Sequence, residues 1–467
     1  MECLDIQPKN RILWLFVTIA VFLASYLLPE PQGLSFEGKM AVTLIACAII
    51  TWCTDVMPIL ISCALFCILQ PFLGIAKLQD AIGVFANPVF FFVLGMFCFS
   101  LALERTGLSE RIALLISIKS KGDTHRLLLY LMMFACVASA FIADIPVIAM
   151  LAPVALLIIN SNECDPCGNF GKSLLIGLPL ACLIGGIGTP MGSGMNIMSI
   201  QFLKDIAHID INFVEWTCIG LPAALIITFF SWFVLVRLFP SEIRVIPNLE
   251  TVKENYREKG QLTYREKLFL VLLFVNIIFW FTEPFHKVPI AIMAILGGSI
   301  FFLPGIDLLD WDYARNKISW EALFINGATF SLGMLICNTG AASWIGENLL
   351  GSFLDLSTVS LIISVCLFAI LMHVVVPSSP ALVAVFCPVV ITMAMSKGIN
   401  PVLLAIPLGF SASASLLLPI DPVPIITYQY GYYRIFDWFK LGSVVTFIWV
   451  IVTCIAVMTV GSWLGFI

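Results

Sequence analysis

The sequence predicts an all-α integral membrane protein of about eleven transmembrane helices and two re-entrant helical hairpins, set in two inverted-topology repeats. Three observations carry this reading. Of 467 residues, 60% are hydrophobic and 11% charged, outside the range of soluble globular chains. Asp144 is the sole charged residue between Leu127 and Asn162, a run too long for one helical crossing of a core about 30 Å thick and tight for two. A second run, Leu356 to Ser396, contains no Asp, Glu, Lys or Arg. Both runs carry proline at their centres, as Ala143-Asp144-Ile145-Pro146 and as Pro377-Ser378-Ser379-Pro380, and proline opposes an uninterrupted helix. Each run therefore turns back near its middle.

Taken in order, apolar runs place spans near 11–28, 39–54, 57–76 and 87–104, a hairpin over 127–160, and spans over 173–200 and 213–238. The polar stretch 240–267 divides the chain into halves of similar length, 1–239 and 268–467, and reads as a cytoplasmic linker. Beyond it come spans near 266–282, 289–304 and 319–338, a hairpin over 357–396, and spans over 402–430 and 441–465. The first span lacks a small-residue cleavage pattern and reads as uncleaved. With the amino terminus inside, inward segments hold 19 Lys and Arg against five outside (Lys39, Lys77, Lys204, Lys287, Lys397). That charge bias puts the amino terminus in the cytoplasm and the carboxyl terminus outside the cell membrane. Tyr430, Tyr432, Tyr433 and Trp438 cluster at one boundary, as an interfacial aromatic belt would.

The two halves repeat one pattern. Asn87-Pro88 through Thr106-Gly107-Leu108 corresponds to Asn326-Gly327 through Thr339-Gly340-Ala341, each just before its hairpin. After each hairpin comes a span interrupted by glycine and proline: Gly185-Gly186-Ile187-Gly188-Thr189-Pro190-Met191-Gly192-Ser193-Gly194-Met195-Asn196 in the first half, Leu418-Pro419-Ile420-Asp421-Pro422-Val423-Pro424-Ile425 in the second. Glycine costs about 1 kcal/mol and proline about 3 kcal/mol inside a helix, so both spans unwind. Unwound carbonyls suit a cation and free helix amino termini suit an anion. An odd number of crossings per repeat gives the two units opposite orientation, with a binding site expected at their interface near the midplane.

Over nearly its whole length the chain resembles the divalent-anion/sodium symporter family of the ion-transporter superfamily. The likeness is carried by Leu103-Glu104-Arg105-Thr106-Gly107-Leu108-Ser109-Glu110-Arg111-Ile112-Ala113, by the Gly-Thr-Pro run and by Leu416-Leu417-Leu418-Pro419. The resemblance implies an elevator-type transporter working as a homodimer, taking up or exchanging a di- or tricarboxylate or an inorganic oxyanion with a coupling cation. It also implies hairpin tips reading Ser-Asn-Thr that bind sodium and substrate. Here the tips read Ala143-Asp144-Ile145 and Ser378-Ser379-Pro380 instead.

Aligned by repeat, Asp144 matches Ser379 and Gly192 matches Asp421, so each pseudo-symmetric site has one acid. Coupling-cation site one comprises Ser139, Asp144, Gly192 and Asn196; site two comprises Ser378, Ser379 and Asp421. Oxygen donors with one negative charge suit Na+, and equally H+. Ser193, Asn196, Ser378 and Ser379 are the candidate substrate contacts, and His373, four residues before Pro377, is a candidate proton relay beside its blander reading as a packed, hydrogen-bonded histidine. The bland reading of both acids is a cap on freed backbone donors.

Other classes fit less well. Two intramembrane acids could form an aspartyl protease dyad, but Asp421 follows Pro-Ile and lacks a protease-like Gly-x-Gly context. No repeated filter sequence supports a channel. A cation/proton antiporter of the same superfamily is the nearest alternative. No catalytic residues and no cofactor beyond the coupling ion are expected, no basic stripe points to nucleic acid, and one CxxC, Cys164 and Cys167, is weak evidence for zinc. Cys47, Cys98, Cys136 and Cys366 lie in apolar spans and read as small hydrophobes.

Overall fold

The computed structural model describes residues 11–54, 56–161, 168–245, 249–350, 356–376 and 378–466. Among them no strand occurs, only an isolated bridge between Asp123 and Val245. Seven described helices are long and apolar enough to cross a membrane, and six further apolar helices are shorter. Cys164 and Cys167 lie outside the described residues.

Sequence punctuation sets the helix ends. Asn87 caps Pro88–Thr106 by accepting from the Val89 amide, and Asn212 and Thr263 form capping boxes with Glu215 and Glu266 at the starts of Phe213–Leu238 and Tyr264–Phe281. Gly107 (φ 70°) ends Pro88–Thr106 and opens Leu108–Lys119, and Gly340 (φ 74°) separates Trp320–Asn338 from Ala341–Leu350 in the same way. Only glycine takes this left-handed turn without strain. Counted back from these glycines, Asn326 stands opposite Val93 and lies inside its helix, whereas Asn87 is a helix cap. The repeat therefore aligns at its glycine end, and the pairing of Asn87 with Asn326 does not hold.

Each hairpin is two packed helices. Thr124–Ile142 and Asp144–Ser161 meet at Ala143, whose φ of 78° and ψ of 155° lie in a region that a residue with a Cβ rarely adopts. Thr358–Val375 and Ser379–Ser396 form the second hairpin. The broken spans are Asn169–Gly185 followed by Gly194–Ala207, and Val402–Ala412 followed by Pro422–Tyr428. The halves interleave. Pro88–Thr106 packs on Ile290–Ile300 as Trp320–Asn338 packs on Ile59–Phe72, and Phe213–Leu238 packs on Ile435–Trp463. Each hairpin's first arm packs on the first part of the broken span that follows it, and the second part of each broken span packs on the other half's hairpin.

The breaks need partners for their carbonyls, because lipid supplies none. The helix that follows each break provides one. Trp216 Nε1 donates to the Ile187 carbonyl (3.0 Å), and Trp438 Nε1 donates to the Ser415 carbonyl (3.2 Å). Four residues beyond each tryptophan, a glycine lets that helix approach the break: Gly220 against Ile187 and Gly442 against Leu416. Trp438 and Tyr433 are buried, with Tyr433 Oη donating to the Pro424 carbonyl (3.0 Å). The expected aromatic belt is thus overturned at these two positions, where the indole and phenol serve the interior of the second half.

The linker carries a helix of its own. Its helix Leu249–Glu258 packs on Leu108–Lys119, and Arg111 holds Glu266 through two nitrogens (2.7 and 3.2 Å) while donating to the carbonyls of Lys259 and Gly260. The motif arginine thereby fixes where the second half begins.

A Cβ on Gly442 would lie 1.7 Å from the Leu416 carbonyl oxygen, whereas on Gly461 of the same helix it would meet nothing closer than 3.5 Å. Gly442→Ala is expected to destabilise the protein by about 1–3 kcal/mol, the usual cost of overpacking, and Gly461→Ala to be near neutral. Thermal unfolding of the detergent-purified variants checks the difference.

Candidate functional site

Both hairpin tips and both breaks reach one cavity of about 520 Å³. Asp144, Ser378, Ser379 and Asp421 line it together with Gly192, Ser193 and Ser413. The rest of the lining comes largely from Phe36–Cys53, Pro88–Thr106 and Trp320–Asn338, through Trp52, Phe92, Val93, Met96, Phe97, Ser100, Ile325 and Asn326. The two acids face one shared space, near enough to interact electrostatically across it. The expectation of two separate sites becomes a single cavity served by both halves.

Each acid also meets a helix start. Asp144 opens Asp144–Ser161, its Oδ1 accepting from the Ile145 amide (2.9 Å). Asp421 is the N-cap of Pro422–Tyr428 and accepts from the Val423 amide (3.2 Å). Ser193 does the same for Gly194–Ala207, accepting from the Met195 amide (3.3 Å). The structural equivalent of Asp421 is therefore Ser193, one residue beyond the expected Gly192. Gly192 instead lets the break fold onto itself, since a Cβ there would lie 2.4 Å from the Gly186 carbonyl oxygen. Asp144 and Ser379 do correspond, each as the first residue of its hairpin's second arm.

Ser139 is not at the cavity. It is fully buried and donates to the Cys182 carbonyl (2.7 Å), fastening the first hairpin to Asn169–Gly185. Asn196 lies behind the first break, where Nδ2 donates to the carbonyls of Gly186 and Thr189 (both 2.8 Å). Its buried Oδ1 has no partner. Thr189 donates to the Ala140 carbonyl and completes the clasp. His373 is buried one turn behind the second tip, with Nε2 3.3 Å from Ser379 Oγ, and Ser379 in turn interacts with Asp421.

Sequence reasoning missed Asn326, Ser413 and the aromatic wall. Asn326 lines the cavity, donates to the Ala322 carbonyl (2.7 Å) and leaves a buried Oδ1 unpartnered. Its signal was available as an amide in a long apolar helix. Ser413 Oγ lies 3.5 Å from Ser193 Oγ, joining the two breaks.

Oxygen atoms dominate the polar face, and buried amide oxygens without partners fit a hard cation that prefers carboxylate, carbonyl and hydroxyl ligands. Three helices of at least 14 residues, Asp144–Ser161, Gly194–Ala207 and Ser379–Ser396, also begin at the cavity with their positive dipole ends toward it. The arrangement can hold cations and an anion side by side.

A solved structure, that of the Alcanivorax borkumensis YdaH transporter, aligns with 98% of this chain and 99% of its own at a TM-score of 0.51 and 12% identity, a likeness of fold alone. Two Staphylococcus aureus proteins, from strain bovine RF122 / ET3-1 and strain COL, each named sodium-dependent dicarboxylate transporter SdcS, are 25% identical over 442 residues, spanning 89% of this chain and 84% of theirs. Residues 9–467 match the family described as the sodium:sulfate symporter transmembrane region, and the chain, a multi-pass membrane transporter and not an enzyme, belongs to that family.

Proposed function

We propose that this protein is a secondary active transporter that couples Na+ to the movement of a small anion. The observation that carries the reading is the convergence of two hairpin tips and two breaks on one cavity holding two acids, five serine hydroxyls and three long-helix amino termini. Asp144 and Asp421 hold the coupling cations, helped by the oxygen of Asn326. Ser193, Ser378, Ser379 and Ser413 contact the anion. The relatives' name, sodium-dependent dicarboxylate transporter, supports the coupling ion.

The packing supports an elevator. Hairpins, broken spans, Phe213–Leu238 and Ile435–Trp463 pack mainly among themselves; Phe36–Cys53, Ile59–Phe72, Pro88–Thr106, Tyr264–Phe281, Ile290–Ile300 and Trp320–Asn338 form a second group. The cavity lies between the groups. Exchanging the halves reproduces most of these contacts, as inverted repeats would. One pair breaks the symmetry: Ser379–Ser396 packs broadly on Trp320–Asn338, while Asp144–Ser161 barely touches Pro88–Thr106. This supports a state open past the first hairpin, which is the cytoplasmic side in the orientation given by the charge bias. In the other state the two contacts would trade places. A homodimer built on the second group fits this scheme.

Proton coupling is the second reading, and one observation favours it: His373, Ser379 and Asp421 form a chain from the protein interior to the cavity.

Reconstituted into vesicles, the protein is expected to accumulate an anion under an inward Na+ gradient and not under a pH gradient of equal size. Asp144→Asn should keep part of the Na+-driven uptake, since an amide oxygen still ligates sodium, while Asp144→Ala should lose it at least tenfold. Uptake driven by pH alone in the parent, abolished in Asp144→Asn, would favour the proton. Full Na+-driven activity of Asp144→Ala would remove Asp144 from the site.

The orientation has its own test. Single cysteines replacing Lys397 and Lys121, in a background whose native thiols do not react, should label from outside and inside respectively; the reverse pattern would invert the topology.

A further inference from the structure

Seven residues before the left-handed glycine that follows each of Pro88–Thr106 and Trp320–Asn338, the two halves differ: Ser100 precedes Gly107, and Gly333 precedes Gly340. Gly333 is a point where the two groups of helices touch. A Cβ there would lie 2.6 Å from the Ala384 carbonyl oxygen, in the second arm of the second hairpin. It would also lie 2.6 Å from Cζ of Phe202, in the second part of the first broken span. Phe202 stacks in turn on Phe330, three residues before Gly333, with ring centroids 4.6 Å apart. Phe202, Phe330 and Ala384 are all buried. Small residues let membrane helices approach this closely, and a backbone carbonyl, unlike a flexible side chain, has no rotamer by which to withdraw.

The first half shows the matching surfaces apart. Asp144 corresponds to Ser379, so the counterpart of Ala384, five residues further on, is Ala149. Ala384 is buried, Ala149 is exposed, and Ser100 lines the cavity. For the first hairpin to close on Pro88–Thr106 as the second closes on Trp320–Asn338, the Ala149 carbonyl would come to where Ser100 carries its Cβ and hydroxyl. The first hairpin must therefore stop short. The two closures are unequal.

Resting on the elevator reading above, we propose that Gly333 and Ser100 are positioning residues that set the balance between the transporter's two states. Glycine lets the second hairpin seal tightly, serine holds the first hairpin off, and the ligand-free protein rests open past the first hairpin. A ligand moves it from that state only by binding the other more tightly.

The test reads both states in the purified full-length protein, in a background whose native thiols do not react. Lys204, in Gly194–Ala207, and Lys77, the residue before Leu78–Ile82, are exposed and stand on different groups. Spin labels on cysteines replacing these two report the distance between the groups by double electron-electron resonance. One distance should dominate in the parent. In Gly333→Ala the population at the second distance should grow about tenfold relative to the first, the effect of a methyl overpacked in only one of two states. Ser100→Gly should shift the balance in the same direction, and the double variant further than either. Gly442→Ala, destabilised at a contact within one group, should leave the distribution unchanged; an equal shift there would reduce the Gly333 effect to lost stability and overturn the proposal. Folded variants that keep the parent's distribution, while Na+ with succinate changes it, overturn the proposal and leave the elevator standing. A distance that neither the variants nor Na+ with succinate alters overturns both. If Gly333→Ala does not fold, Ser100→Gly decides by the same outcomes.

Discussion

Everything at the centre of this molecule depends on keeping unwound backbone satisfied inside an apolar interior. A carbonyl released from a helix and left facing lipid would cost several kcal/mol, so a broken membrane helix persists only where side chains or neighbouring backbone replace the lost bonds. The chain solves this twice with one device: the indoles of Trp216 and Trp438 donate into the two breaks, and Gly220 and Gly442 let the donor helices come close enough. The first break gains a further clasp from Asn196 and Thr189. Only with these carbonyls held can the remaining atoms at the breaks stay open toward the cavity.

The same constraint explains why the two acids are difficult to place in one category. As helix-start carboxylates, Asp144 and Asp421 satisfy local amides, the bland structural role. Yet a neutral Ser193 performs the same cap on the other broken span. Capping therefore does not require a charge, and two carboxylates brought into one cavity repel each other unless something positive enters with them. The proposed cation coupling follows from that excess charge.

The aromatic part of the cavity lining belongs to a different group of helices from the tips and breaks. A ligand held between them touches both, and in the proposed elevator movement of one group against the other would carry the tips and breaks past a largely apolar surface. Aromatic and methionine side chains make up much of that surface and offer few specific bonds to break, which suits sliding.

The sequence by itself determined the architecture. Span limits such as 213–238 and the hairpin turn at Asp144 were legible because apolar runs, caps and prolines act locally, and the left-handed glycines Gly107 and Gly340 mark matching points in the two halves. It also singled out Asp144, Ser193, Ser378, Ser379 and Asp421, since charged and hydroxyl groups beside helix breakers stand out in an apolar chain. Tertiary structure alone decided that these residues share one cavity, that Ser139 and Asn196 stand behind it, and that Trp438 points inward. The equivalence of Asp421 with Ser193, not Gly192, needed the cap geometry, because a one-residue shift in a glycine-rich run leaves no trace in composition. The apolar wall was hidden for a similar reason: in a chain this hydrophobic, a phenylalanine that faces a ligand and one that faces lipid look alike until the helices are packed.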